Sequence, residues 1–297
     1  MADFSEYGVP REEWTVVEST LPPFSKNISL EDLKASTNRG REDVAKRELA
    51  PIASQVIISD HSIPSRDGYI LEARSYRAVS APSDKPLPIY IHFHGGGFCF
   101  GTLSSEDAIC SRLAISTNVV VLNVNYRHTP QYSYPTAWND SEDALDWAHN
   151  NAGKLKVERR KIVIGGISAG GWLSASLSLS NLRRETESQA CIIGQVLMIP
   201  ALVYHECYAP QLKFLKDQSL SSYKQNEFAA ILPLERIKQF NELLQVKDAD
   251  PEDRRLNPGN ATAEEVRHLP PTTLGIAGSD PLRDEALFYG KLLADNG

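Results

Sequence analysis

The chain has 297 residues, 41% hydrophobic and 23% charged, with a net charge of −7. That is ordinary globular composition, long enough to bury a large core. The acidic balance argues against a nucleic-acid-binding surface, and no stretch approaches the roughly 18 apolar residues of a membrane span. Met1 to Trp14 is polar and acidic and lacks the basic start and apolar run of a secretory signal. Cys99, Cys110, Cys191 and Cys207 show no short paired spacing. Neither a metal site nor a disulfide framework is therefore expected, and a reducing, cytoplasmic setting is the simpler reading. No cofactor is called for. Asn27, Asn139 and Asn260 begin glycosylation-type triplets, which without a secretion signal read as coincidence.

Residues 1–50 are charged and partly helical in pattern. Ser29 with Asp32 predicts a helix start there. This arm is too polar for a core of its own and is expected to fold over another part of the chain. Strand signals follow at Val56–Ile58, at Tyr69–Ala73 after an Arg66-Asp67-Gly68 turn, and at Pro88–Phe93. Val119 to Val124 is a continuous β-branched run, the pattern of a strand buried on both faces. Trp138, Ser141, Leu145 and Ala148 mark one helical face. Further strands are predicted at 161–164 and 195–199. Strands alternating with helices at this spacing predict an α/β fold, a mostly parallel sheet with helices on both faces. The alternation stops near Tyr204. Residues 204–268 read as a polar, helical cap insertion, and the sheet resumes at Thr272–Ala277. The expected organisation is a cap arm over 1–50, a core over 51–203 and 269–297, and a cap over 204–268. A last helix carries Leu282, Ala286, Tyr289 and Leu293 on one face.

Two glycine motifs carry chemistry. Gly166-Ile167-Ser168-Ala169-Gly170 follows a strand and opens a helix. A serine hydroxyl that attacks a carbonyl must stand exposed on a sharp turn, and such a turn needs small neighbours, here Gly166 and Gly170. His94-Gly95-Gly96-Gly97-Phe98 follows another strand. The negative charge of a tetrahedral intermediate is stabilised by prepositioned N–H groups. Gly96, Gly97 and Ala169 are the expected donors, with Gly95 leaving the backbone room and His94 fixing the loop by hydrogen bonding. A phosphate-binding loop would want a different spacing.

Together with Tyr126-Arg127-His128-Thr129-Pro130 and Asp280-Pro281-Leu282-Arg283-Asp284-Glu285, these motifs resemble the hormone-sensitive-lipase-like family of α/β-hydrolases, which are carboxylesterases and lipases. The likeness covers about residues 55–200 and 268–297. It implies an α/β-hydrolase fold, Ser168 as nucleophile, Asp280 as the acid of the triad and a small-molecule ester as substrate. Ile167 stands where the family most often has Asp, and His128-Thr129 where it has Leu-Ala. Asp280 also precedes Pro281 and has a plain alternative role as a helix cap. Asp284 competes with it but lies inside the helix.

In this family a base histidine follows the acid. All seven histidines here, His61, His92, His94, His128, His149, His205 and His268, precede Asp280. Of these, His205 is the best-placed substitute, because it follows a strand on the side where ligands bind. The expectation is a serine carboxylesterase, C-terminally truncated before its last strand and histidine loop, and so impaired or incomplete. The alternative is a receptor-like homologue that binds a small molecule without turnover.

Overall fold

Seven strands form one sheet in the computed structural model, which describes residues 1–21, 28–183 and 190–296. They are β1 (Val56–Pro64), β2 (Ile70–Ala78), β3 (Leu87–Phe93), β4 (Val120–Asn125), β5 (Val157–Ile167), β6 (Ile192–Met198) and β7 (Thr272–Gly275). The α-helices of more than one turn among the described residues are α1 (Glu12–Glu18), α2 (Leu30–Leu49), α3 (Asp107–Thr117), α4 (Thr136–Asn150), α5 (Ala169–Leu182), α6 (Leu234–Leu244) and α7 (Arg283–Asn296). Asn27 of the first glycosylation-type triplet lies outside the described residues.

The sheet order is β1-β2-β4-β3-β5-β6-β7. β1 and β2 pair antiparallel, as do β2 and β4, and every later neighbour is parallel. The predicted run at 119–124 is β4, buried over five of its six residues. Its parity sorts the core. Val120, Leu122 and Val124 join the main cluster with Trp138, Leu145 and Leu173, while Val121 meets Cys110 and Ala114 of α3 on the other side. Helices therefore cover both faces. β1 and β2 run well past their predicted ends, to Pro64 and Ala78. Ser59, Asp60 and Ser62 sit in an exposed edge strand, so β1 shows little of the apolar alternation by which strands are read.

The segment between β6 and β7 holds no strand among its residues and carries α6. It is pinned to the core by two indoles: Trp138 Nε1 donates to Arg255 O at 2.7 Å and Trp172 Nε1 to Leu256 O at 2.8 Å. Ser29 accepts the Asp32 N–H at 3.1 Å and opens α2, as its sequence predicts. No helix among the described residues is long and apolar enough to cross a membrane.

Candidate active site

Ser168 stands between β5 and α5 with φ +54° and ψ −113°, a conformation that non-glycine residues rarely hold. Two contacts fix it there. Its N–H donates to Met198 O at 2.9 Å, and its carbonyl accepts the Trp172 N–H at 3.0 Å, starting the helix. The turn closes tightly on its surroundings. A Cβ on either Gly166 or Gly170 would collide with the Phe93 carbonyl oxygen. Glycine at both positions lets β3, β5 and α5 come together at this point.

The glycine loop leaves β3 at the same level. Gly96 has φ +129° and Gly97 φ +59°. The Gly96 carbonyl accepts from Cys99 at 3.0 Å and Phe100 at 2.9 Å, which curls the loop. Among the described residues, the N–H groups of Gly96, Gly97 and Ala169 have no acceptor.

His94 is fully buried, stacked on Tyr126 with ring centroids 4.4 Å apart. Its Nδ1 lies 3.0 Å from Gly95 O, and since a carbonyl only accepts, Nδ1 carries the proton. Its Nε2 is then the acceptor for His128 Nε2–H at 3.3 Å. Burial pushes the His94 pKa down to about 4 and the His128 pKa down as well, so both rings are neutral near pH 7. His94 is thus hydrogen-bonded to the loop through Gly95 O.

Ser168 lies at the junction of two cavities. The larger, about 1050 Å³, takes in Gly96, Trp14, Arg41, Ile231 and Asp280. The smaller, about 30 Å³, takes in Ala169, Trp172, Ala201, Ile237, Leu244 and Leu282. Gly97, Ser168, Leu232 and Phe240 border both. Phe240, from α6, packs so closely over Gly97 that a Cβ there would strike its ring. Among the described residues no histidine borders either cavity. His205 is not among their lining residues: its ring lies 5.3 Å from Tyr223, and its backbone N–H donates to Asn241 Oδ1 at 3.0 Å. The sequence suggested it as a base because it follows β6.

Asp280 borders the large cavity and also caps, accepting the Leu282 N–H at 2.9 Å. Burial pushes its pKa up to about 6. Behind it lies a network that sequence reasoning missed. Glu285, with none of its surface exposed, accepts the N–H groups of Leu202 and Val203, the latter at 2.7 Å, and the Tyr223 hydroxyl at 2.9 Å. Asp284 accepts the Ser222 N–H at 2.7 Å. Both acids lie in the first turn of α7, a position that reads as ordinary helix-start charge. They tie the strand exit after β6 and the Ser222–Tyr223 turn to the loop that presents Asp280.

Burial also pushes the Glu285 pKa up to about 8. A carboxyl with a raised folded pKa binds a proton that the unfolded chain releases, so stability falls as pH rises through that window. The buried histidines act in the opposite sense but below about pH 6.5, their unfolded value. Between pH 6.5 and 8, urea midpoints should therefore decline, with a limiting slope of about 1.4 kcal/mol per pH unit. Glu285→Gln should flatten that decline. A slope unchanged in the variant would show that Glu285 is ionised throughout.

The chain belongs to the α/β-hydrolase fold family, in its hormone-sensitive-lipase-like branch of serine carboxylesterases; the family pattern matches residues 90–297. It is 29% identical over 281 residues to the esterase LipI of Mycobacterium tuberculosis, covering 93% of this chain and 82% of that one. It is 33% identical over 215 residues to the carboxylesterase NlhH of the same organism, covering 71% of this chain and 62% of that one. Among solved structures, vibralactone cyclase superimposes with a TM-score of 0.87 at 27% identity, covering 98% of this chain and 84% of its own.

Proposed function

We propose that this chain is a carboxylic-ester hydrolase in which Ser168 is the nucleophile. In this reading Gly96, Gly97 and Ala169 donate to the oxyanion, and Asp280 is the acid that orients a base. The observation that carries it is the meeting of Ser168 with three unpartnered N–H groups at the junction of two cavities. Residues 1–50 and 204–268 act as a cap over that junction. The base is the unfilled role. Among the described residues no histidine borders either cavity, so Ser168 on its own has nothing to take its proton and the chain is an impaired catalyst.

The cavities suggest how an ester sits. The group that protonates the leaving alcohol is held by the acid, and Asp280 borders only the large cavity. The alcohol then belongs in the large cavity and the acyl group in the small one. About 30 Å³ holds little more than about two water-sized groups, which restricts the acyl part to about acetyl or propionyl.

Added imidazole supplies the missing base and so tests this reading. The imidazole-dependent hydrolysis of p-nitrophenyl acetate should exceed that of the Ser168→Ala protein by about tenfold or more, against the 10²–10⁴ typical of a built-in base. The excess should shrink with the hexanoate. A fluorophosphonate should label wild type slowly, at Ser168 alone. Equal imidazole-dependent rates in both proteins would overturn the nucleophile assignment and favour binding without turnover.

A further inference from the structure

Three side chains of α2 converge on the glycine loop. Asn38, Arg41 and Glu42 stand three and four residues apart and share one helix face. Asn38 Oδ1 accepts the Gly101 N–H at 2.8 Å. Arg41 Nη1 donates to Gly95 O at 3.0 Å, and Thr102 Oγ1 donates to Glu42 Oε1 at 2.6 Å. Arg41 is itself anchored. Its Nη2 donates to Glu106 Oε1 at 2.7 Å, and the other oxygen of that buried carboxylate accepts from His92 Nε2 at 3.0 Å.

The peptide joining Gly95 to Gly96 is planar and trans, so its C=O and N–H point in opposite directions. Whatever holds the carbonyl also aims the amide. With glycine on both sides, this peptide can rotate at little steric cost, and the loop's own chemistry does not choose its orientation. The His94 ring also bonds Gly95 O, but it belongs to the neighbouring residue and moves with the loop. The tether from outside the loop is Arg41.

We propose that Arg41 is a positioning residue: by holding the Gly95 carbonyl it aims the Gly96 N–H at the carbonyl oxygen of an ester on Ser168. The N-terminal arm then completes the oxyanion site as well as covering it. The proposal rests on the reading of Gly96 as an oxyanion donor.

The test combines imidazole-supported turnover of p-nitrophenyl acetate with the Gly96 amide resonance of ¹⁵N-glycine-labelled protein. Arg41→Ala should lower kcat about 10–100-fold, somewhat less than outright loss of one oxyanion donor, and leave KM within about twofold. The Gly96 resonance should shift or broaden. Guanidinium ion, added well below denaturing concentration, should restore both. Arg41→Lys keeps the charge beside Glu106 and guards against loss of fold; one ammonium cannot replace both donors of the fork, so intermediate values are expected. Wild-type kcat together with an unmoved Gly96 resonance in Arg41→Ala would overturn the proposal, as would wild-type values for both in Arg41→Lys should Arg41→Ala not fold. If the wild-type protein shows no Ser168-dependent turnover, the ester-hydrolase reading fails and the resonance alone decides: a shift reversed by guanidinium sustains the clamp, and no shift ends it.

Discussion

Gly96→Ala should slow phosphonylation of Ser168 by a fluorophosphonate about 10²–10³-fold, the usual consequence of losing one oxyanion donor. Two observations set this expectation. Gly96 holds φ +129°, which an L-residue adopts only with strain, and an added Cβ would run into the Phe100 carbonyl oxygen. The alanine can be seated only if the loop turns, and that turns the free N–H away from Ser168. The fold should survive, because the loop borders a cavity of about 1050 Å³ and has room to move. Intact mass against time, on protein with wild-type circular dichroism, measures the effect. A wild-type labelling rate would remove Gly96 from the oxyanion site.

The largest loss of stability should come from Asp140→Ala, about 3–5 kcal/mol, the range for breaking one side of a buried ion pair. Asp140 is wholly buried. It accepts the Arg127 N–H at 2.8 Å and the guanidinium of the same residue at 2.6 Å. The alanine leaves Arg127 with Asp67 as its one carboxylate among the described residues, at 2.7 Å and on the more exposed side, beside the Tyr69 and Tyr132 rings. Urea denaturation gives the number, and a change below about 1 kcal/mol would show that Asp67 suffices. Activity should fall as well. Arg127 lies between Tyr126, whose hydroxyl donates to His94 O at 2.8 Å, and His128, which donates to the His94 ring. This pair therefore braces the back of the glycine loop.

The parts of the site legible in sequence are those whose chemistry is local. Ser168 and its flanking glycines lie within five residues, and so do the glycines after His94, so the demands of a tight turn and of close backbone approach can be read directly. β4 was legible because burial on both faces writes an unbroken apolar run. β1 was underestimated because an exposed edge strand has no such pattern. Arg41, Asn38 and Glu42 were not legible. They lie on a polar helix and act on residues more than 50 positions away, and nothing in the helix marks them off from solvated charge. Phe240 and Leu232 divide the two cavities from a segment without a motif. Glu285 was passed over because an acid in the first turn of a helix already has an ordinary explanation.

The Phe93 carbonyl touches the positions where Gly166 and Gly170 lack side chains, and His94 and the glycine loop follow Phe93 directly in the chain. The proposed nucleophile and the proposed oxyanion donors are thus mounted on one point of backbone. A displacement of β3 carries both together and preserves the distance between them, and among the described residues α1 and the 229–232 segment make no hydrogen bond to either. Substitutions that change which molecules enter can therefore accumulate in α1 and the 229–232 segment with the reacting geometry left alone. Drift in chemistry itself requires change in that patch of backbone or in the α2 side chains that hold it.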